Sequence, residues 1–366
     1  MKRTNSFLLL FITLTFVTGS ISTQAQIREF GNFATTGVDD AEELFTAYIS
    51  PYLNGFGASM TGGWYNTAKT HKLGGFDLII SLNAAIVPEE YRSFNVDELN
   101  LTNIQRAEGT SETSSTIAGE TENGPMMDYA YEDFDSSAFE LPPGTGIPFV
   151  PSPMIQVGIG LIKGTDIMGR YMPQVGVEDK GKFGFWGIGL KHDIKQWIPV
   201  LKSTPVLNLS VMGGYTHLNS YVALHATPGD LNLEDYAAGI DPSTWDDQKL
   251  IASANSFTAN LVVSANLPVV SFYGGVGFAY TKSNLKLEGN FPTITGITVE
   301  NMQPVPLVEP QADVIDIEVE NQDGGFTKPR LNIGVRFKML KILMLNVDYT
   351  RANFDVVTFG LGITFR

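Results

Sequence analysis

Cysteine is absent from the 366 residues, and histidine is nearly so, with His71, His192, His217 and His225 as the whole set. The first absence removes thiolate chemistry and disulfides, and the two together leave no Cys/His cluster for a transition metal. Positive charge is scarce: 24 Lys and Arg stand against 39 Asp and Glu, a formal charge of −15. Such acidity argues against nucleic acid or an anionic membrane surface as a functional partner. Long apolar runs are missing as well. The best one beyond the N-terminal region, Leu78 to Val87, is interrupted by Ser81 and Asn83; a transmembrane helix needs roughly 18 or more apolar residues. If the chain crosses a membrane, closure into a β-barrel is the remaining way to satisfy its backbone.

What is present points that way. From Val357 to Phe365, the residues Val357, Phe359, Leu361, Ile363 and Phe365 alternate with Thr358, Gly360, Gly362 and Thr364. In a strand these sets lie on opposite faces, and an apolar face closing on an aromatic suits a strand covered by lipid. Thr358, Gly360, Ile363 and Phe365 also match the C-terminal assembly signal of bacterial outer-membrane barrels, with Arg366 one residue beyond it. At the other end, Lys2 and Arg3 precede an apolar core from Phe7 to Val17 and a small, polar stretch. That is the layout of a secretory signal peptide cleaved near Ala25. Loss of those two cations would take the charge from −15 to −17.

The same period of two recurs along the chain. Leu331, Ile333, Val335 and Phe337 alternate with Arg330, Asn332, Gly334 and Arg336, and Leu343, Leu345, Val347 and Tyr349 with Asn346, Asp348 and Thr350. Strands are expected near 54–66, 73–87, 153–162, 165–177, 181–192, 205–222, 250–266, 269–289, 326–338, 341–351 and 354–366. The expected fold is all-β, an antiparallel transmembrane barrel of 10–14 strands. Eleven is odd and such barrels have even strand numbers, so either a pair hides in 290–325 or the first of these strands, the least certain, is not one; twelve is the best single figure. With the C-terminus on the periplasmic side, the long connections 88–152, 223–249 and 290–325 all fall outside. Inward positions Asp77, Arg170, Arg336 and Asp348 are candidate lumen residues.

Those long connections are acidic. Seven acids and no Lys or Arg lie from Glu300 to Asp323, where Asp316, Glu318 and Glu320 share one face of an apparent strand. A calcium or magnesium site is the sharper reading and solvated acidic loops, bridged by divalent ions to lipopolysaccharide, the blander one, since no EF-hand spacing occurs. The stretch Gly109 to Gly124 reads as disordered. Between 193 and 204, Lys195, Trp197 and Lys202 fit either an interfacial helix or a plain turn. Residues 26–53 carry a helix: Asp39 as cap, Glu42 three positions on, Ala41, Leu44, Phe45 and Tyr48 at helical spacing, and Pro51 as stop. Leu44, Phe45 and Tyr48 would pack it into the lumen as a plug or against the periplasmic rim.

Asn54-Gly55-Phe56-Gly57, Gly63-Trp64-Tyr65-Asn66-Thr67-Ala68-Lys69, His71 to Asp77, Pro153 to Gly158 and Trp186 to Trp197 resemble an uncharacterised family of Bacteroidetes outer-membrane barrels, the Lys191 to Trp197 block most specifically. That family is loosely similar to FadL-type channels for hydrophobic compounds. The resemblance implies an outer-membrane location, lipid, lipopolysaccharide and the barrel-assembly machinery as partners, and a hydrophobic small-molecule solute.

No catalytic, cofactor or metal constellation stands out. His192 beside Asp193 suits a structured turn, and Gly57-Ala58-Ser59-Met60-Thr61 lacks the second glycine of a nucleophile elbow. Two functions follow: a plugged passive channel, or a non-conducting barrel that binds or supports through its acidic loops.

Overall fold

In a computed structural model of the chain, the structure describes residues 33, 35–130, 137–176, 181–229, 233, 235–300, 303–312, 314–320, 329–340 and 342–365. The expected signal peptide and Arg366 lie outside the described residues. Ten antiparallel strands form the wall: β1 Phe76–Ile86, β2 Phe149–Gly160, β3 Thr165–Gly176, β4 Gly181–Asp193 and β5 Leu207–Ala223. They continue as β6 Lys249–Asn266, β7 Val270–Glu288, β8 Arg330–Met339, β9 Leu343–Arg351 and β10 Asp355–Phe365. Each strand pairs with its neighbour in sequence, and β10 pairs with β1 from Phe76↔Phe365 to Ile86↔Asp355. The sheet is therefore a closed meander with no free edge in the ring.

The alternation explains which way each residue faces. On β1, Phe76, Leu78 and Ile80 are exposed on the outer wall, while Asp77, Ile79, Ser81 and Asn83 are buried within. Ile188 and Leu190 on β4, Leu261 and Val263 on β6, Leu331 and Ile333 on β8, and Phe359 and Leu361 on β10 repeat the pattern. A continuous apolar outer wall around a polar interior is the reverse of a water-soluble barrel, and hydrocarbon is its matching solvent. Among the described residues no helix is long and apolar enough to cross a membrane.

The count is ten rather than twelve. Residues 54–66 contribute no strand. A helix, α1 Val38–Thr61, runs on through Pro51, and the chain after it passes into the barrel interior. Proline removes one intrahelical donor but does not stop a helix whose apolar side chains are buried on both sides of it, here Tyr48 and Met60. The helix begins after Gly37 with no side-chain cap, so Asp39 does not cap it. Among the described residues of 290–325 there is no hidden wall strand either. Asn290–Glu300 and Gln303–Ala312 form a separate hairpin, and Ile315–Glu320 pairs only with the upper part of β7.

The three long connections, 87–148, 224–248 and 289–329, all leave one end of the barrel, which also carries the short links 177–180 and 352–354. Strands β5, β6 and β7 have 17, 18 and 19 residues, well beyond the ~9–11 that a tilted crossing requires. Their excess projects at the long-loop end and supports a canopy. Within it, Gly109 to Gly124 is ordered: Thr113–Ser115 pairs with Ser93–Asn95, and Ser114, Thr116 and Ala118 are buried. At the short-turn end, Lys195–Trp197 and Pro199–Lys202 form two brief helical turns that leave Trp197 exposed.

Candidate luminal site

The helix α1 enters from the canopy. Leu44, Phe45 and Tyr48 pack with Val96, Met127 and Ile315 of the loops, and Phe33 meets Phe45 edge-on at 6.0 Å. The plug-helix residues thus sit in the canopy, and it is Phe56 and Met60, two turns or more further on, that reach the wall. Asp40 fastens this region: its carboxylate accepts from Thr102 N and Oγ1 at 2.8 and 3.0 Å, and from Asn103 N and Ile104 N at 2.8 and 3.1 Å.

At its far end α1 exposes carbonyls with no basic residue in its own last turn. A helix C-terminus concentrates partial negative charge and unsatisfied acceptors. The wall supplies the missing donors. Arg170 of β3 donates to Met60 O at 2.8 Å and Gly62 O at 3.1 Å, Arg330 of β8 to Thr61 O at 3.0 Å, and Asn83 of β1 to Ser59 O at 2.9 Å. Arg170 also donates to Gln156 Oε1 at 2.9 Å, and Gln156 donates in turn to Trp64 O at 3.2 Å.

Trp64 completes this clamp. Its ring lies 3.5 Å below the Arg170 guanidinium, a cation–π contact in a desolvated place. Gly189 and Gly214 of adjacent strands make room for it: a Cβ there would lie 2.7 and 2.5 Å from the indole. Gly275 likewise accommodates the Tyr65 hydroxyl.

Below, the chain is held at successive levels. Arg336 donates to Asn66 Oδ1 at 3.0 Å, Thr67 Oγ1 to Asn266 Oδ1 at 2.9 Å, and Ala68 N to Ser264 Oγ at 3.0 Å. At the short-turn end, His71 sits between two carboxylates: Asp166 accepts its backbone N–H at 2.8 Å and lies 3.0 Å from Nδ1, and Asp77 is 3.4 Å from Nε2. Lys191 pairs with Asp166 at 3.1 Å. A narrow cleft lined by Trp64, Asn66, His71, Asp77 and Lys191 remains beside this group.

The four candidate lumen residues therefore play different parts. Arg170 and Arg336 grip the luminal segment, and Asp77 faces its His71. Asp348 joins a network within the wall, accepting from Tyr273 Oη at 2.8 Å and Asn332 Nδ2 at 2.8 Å. Arg330 belongs with the clamp, as do Gln156 and Trp64, while Asp166 and Lys191 hold His71 at the short-turn end. The inward parity of Gln156, Asp166 and Lys191 on β2, β3 and β4 was readable; their target was not. In the assembly signal, Thr358 is buried inward, while Phe365 points outward and stacks on Phe76 at 4.9 Å.

The residues weighed for catalysis are otherwise engaged. Ser59 Oγ donates to Phe56 O at 2.8 Å. His192 contacts Thr165 and Gln196, and Asp193 instead accepts from Lys195 N at 2.8 Å. Among the described residues no cluster of three or more metal-ligating side chains occurs; Asp316 is bound by Asn284 at 2.7 Å, and Glu320 by Tyr280 at 2.9 Å.

The model of a family of unknown function, DUF6588, matches residues 1–365. An uncharacterized protein of Coxiella burnetii (strain RSA 493 / Nine Mile phase I) is 27% identical over 173 residues, covering 43% of this chain and 62% of that one. The match thus spans less than two thirds of the relative. Among solved structures, the outer membrane protein OprG from Pseudomonas aeruginosa is similar with 9% identity and a TM-score of 0.29, over 82% of this chain and 100% of that one. The Pseudomonas putida toluene transporter TodX is similar with 10% identity and a TM-score of 0.27, over 88% and 72%. Overlays this loose decide nothing about function.

Proposed function

The chain belongs to DUF6588, a family of unknown function, and we propose that it is a passive outer-membrane channel, closed in this conformation by its own luminal segment, for a hydrophobic or amphipathic solute. One observation carries the reading. Residues 62–70 cross the interior held by wall side chains, Arg170, Arg330, Arg336 and Ser264, rather than as a strand of the ring. Contacts of this kind release without dismantling the barrel, which a wall strand could not do.

The solute class is supported by the closely packed apolar cluster beside the clamp, where Met60 meets Met154, Met172, Phe185 and Leu218; methionine-rich clusters can repack around varied apolar shapes. It is also the class that the resemblance to FadL-type channels implies. On this reading the outer wall faces lipid, the acidic canopy faces lipopolysaccharide, and Thr358, Gly360, Ile363 and Phe365 are presented to the assembly machinery. A non-conducting barrel is the second reading, favoured by the four hydrogen bonds that fix Asp40.

Planar-bilayer recording tests the two. Refolded chain from residue 26 onward is compared with a chain starting at residue 76, which lacks helix and luminal segment. A channel shows low conductance in the first and a large, steady conductance in the second. Silence from both, with heat-modifiable barrels, removes the channel reading.

A further inference from the structure

The formal charge of −15 conceals a segregation along the barrel axis. The long connections 87–148, 224–248 and 289–329 hold thirteen, six and seven acids against three cations, Arg92, Arg106 and Lys328. The opposite end is different. Residues 67–75, where the luminal segment meets β1, and the connections 161–164, 194–206, 267–269 and 340–342 together hold six lysines and no Asp or Glu. Of the acids near the strand ends there, Asp77 and Asp166 are buried against His71, and Asp193 accepts from Lys195 N. Lys72, Lys163 and Lys202 are exposed, and among the described residues no carboxylate pairs with them. The overall acidity, which argues against an anionic membrane surface, thus describes the canopy and not this rim.

Each of the three lysines has an exposed apolar neighbour. Leu73 beside Lys72 is 72% exposed, Ile162 beside Lys163 is 64%, and Val200, two residues before Lys202, is 77%, with Trp197 at 68%. The three segments adjoin in one patch. Gly74 N donates to Gly160 O at 3.0 Å and Gln196 Nε2 to Lys163 O at 3.0 Å, and a Cβ at Gly164 would lie within 3.6 Å of Asp193, Gln196 and Thr70 alike. Lys195 braces the third segment by donating to Thr204 O and Leu207 O. Two turn tips carry unusual residues: Lys163 has φ 56° and Leu340 φ 49°, the left-handed backbone that glycine ordinarily occupies. Leu340 is 86% exposed. A leucine at such a tip gains nothing in water, and gains burial beside hydrocarbon.

We infer that the rim formed by 69–73, 161–164 and 195–202 is a binding surface for anionic glycerophospholipids. Leu73, Ile162, Trp197 and Val200 enter the acyl region, and Lys72, Lys163 and Lys202 reach back to the headgroup phosphates. A zwitterionic lipid offers the same acyl chains, but its own ammonium offsets the attraction, so the preference rests on the lysines. The acidic canopy repels the same headgroups. On the outer-membrane reading each end then matches its own leaflet, the canopy lipopolysaccharide and the rim phospholipid. The inference goes beyond the channel reading and holds equally for a barrel that does not conduct.

Photolabelling tests this. The chain from residue 26 onward is refolded into phosphatidylcholine vesicles containing a small fraction of a probe, phosphatidylglycerol or phosphatidylcholine, with a diazirine next to its headgroup, and adducts are located by peptide mass spectrometry. One lysine near an anionic headgroup is worth about fivefold, so phosphatidylglycerol should label the peptides of 69–73, 161–164 and 195–202 at least about tenfold more than phosphatidylcholine at low ionic strength. Salt at about 1 M, where the screening length is ~3 Å, should abolish most of that preference. In Lys72→Gln/Lys163→Gln/Lys202→Gln the two probes should agree within about twofold, and Lys163→Gln alone should give a partial loss. Heat-modifiable migration certifies each barrel. Equal labelling by both probes in the native chain overturns the inference, leaving a rim that any lipid covers. A preference that survives the triple variant or the added salt refutes the role of the lysines, and no labelling by either probe gives the rim to a soluble partner instead. None of these outcomes depends on conductance of the shortened chain, so the channel reading stands or falls separately.

Discussion

Replacing Arg170 by Met should loosen the luminal segment more than any other single change to the wall. Methionine retains much of the length and apolar stem but removes the charge and every donor. Lost with them are the hydrogen bonds to Met60 O, Gly62 O and Gln156 Oε1, and the contact with Trp64 at 3.5 Å. A hydrogen bond to a charged group contributes about 1.5–3 kcal/mol net, and a desolvated cation–π pair about 2. These are not additive, and water enters to serve the freed carbonyls, so about 3 kcal/mol for docking of the segment is a fair figure, or roughly 100-fold in the undocked population. The chain lacks cysteine, so Ala68→Cys, at a position buried to 0% exposure, gives a single reporter. Its maleimide labelling rate follows the undocked fraction when docking is fast. Arg170→Met should raise that rate about 100-fold without loss of heat-modifiable barrel. A rate within about threefold of the parent, below 1 kcal/mol, would show that the clamp does not hold the segment.

Gly214→Val should expel Trp64, because a Cβ there meets the indole at 2.5 Å, while Gly213→Val, whose Cβ meets only Thr258 O at 3.9 Å, should not; maleimide labelling of the same Ala68→Cys reporter separates them, with about 1–3 kcal/mol of overpacking expected for the first. Asp40→Ala orphans donors at Thr102, Asn103 and Ile104 and should expose 99–106 to limited proteolysis, at about 1–3 kcal/mol per stranded buried group. In the canopy, hydrogen bonding by Arg106 holds the Asp97 carboxyl below its ordinary value. Its contribution is present above the unfolded pKa of about 3.9 and lost as pH falls through the lower folded value. Hydrogen exchange of 97–106 should therefore be insensitive to Asp97 titration from pH 8 to 5 and rise only in strong acid. Val263→Lys places a charge on the outer wall, where Val263 is 48% exposed, and should cost about 2–4 kcal/mol if the site lies near the bilayer midplane, read as a lower midpoint in denaturant refolding into vesicles.

The wall was legible because its physics is local. Outward Leu331, Ile333 and Phe337 against inward Asn332 and Arg336 require no knowledge of any other strand, and one period of two fixes both element and face. The strand number was harder. Residues 54–66 carry enough glycine and aromatic residues to imitate a strand, yet Tyr52, Phe56 and Met60 recur every four residues and are satisfied by a helix lying against the wall. Pro51 resembles a stop because a lone helix would end there; buried contacts on both sides of it tip the balance. The clamp could not be read at all. Arg170 and Met60 are 110 residues apart, and nothing in either neighbourhood indicates that one cation caps the other's carbonyl. The inward position of Arg170 was predictable, its target only in three dimensions.

The direction of the luminal segment constrains how it can open. Its upper end is tied to the canopy through Asp40, and its lower end runs into β1, with Gly75 O accepting from Gly160 N at 2.8 Å. Between those anchors lie the Arg170, Arg330 and Arg336 levels. Breaking one level leaves both anchors in place, so the chain can bow away from one side of the lumen but cannot leave it. Local release is then the low-energy motion, and expulsion of the segment, which requires every level at once, is far costlier. The two perturbations should differ in kind as well as size. Arg170→Met should convert a quiet channel into a flickering one, with brief and partial openings, whereas removal of the chain before residue 76 should leave it steadily open. Identical steady openings in both would mean that the clamp at Arg170 carries the whole barrier and that the levels below it only line the path.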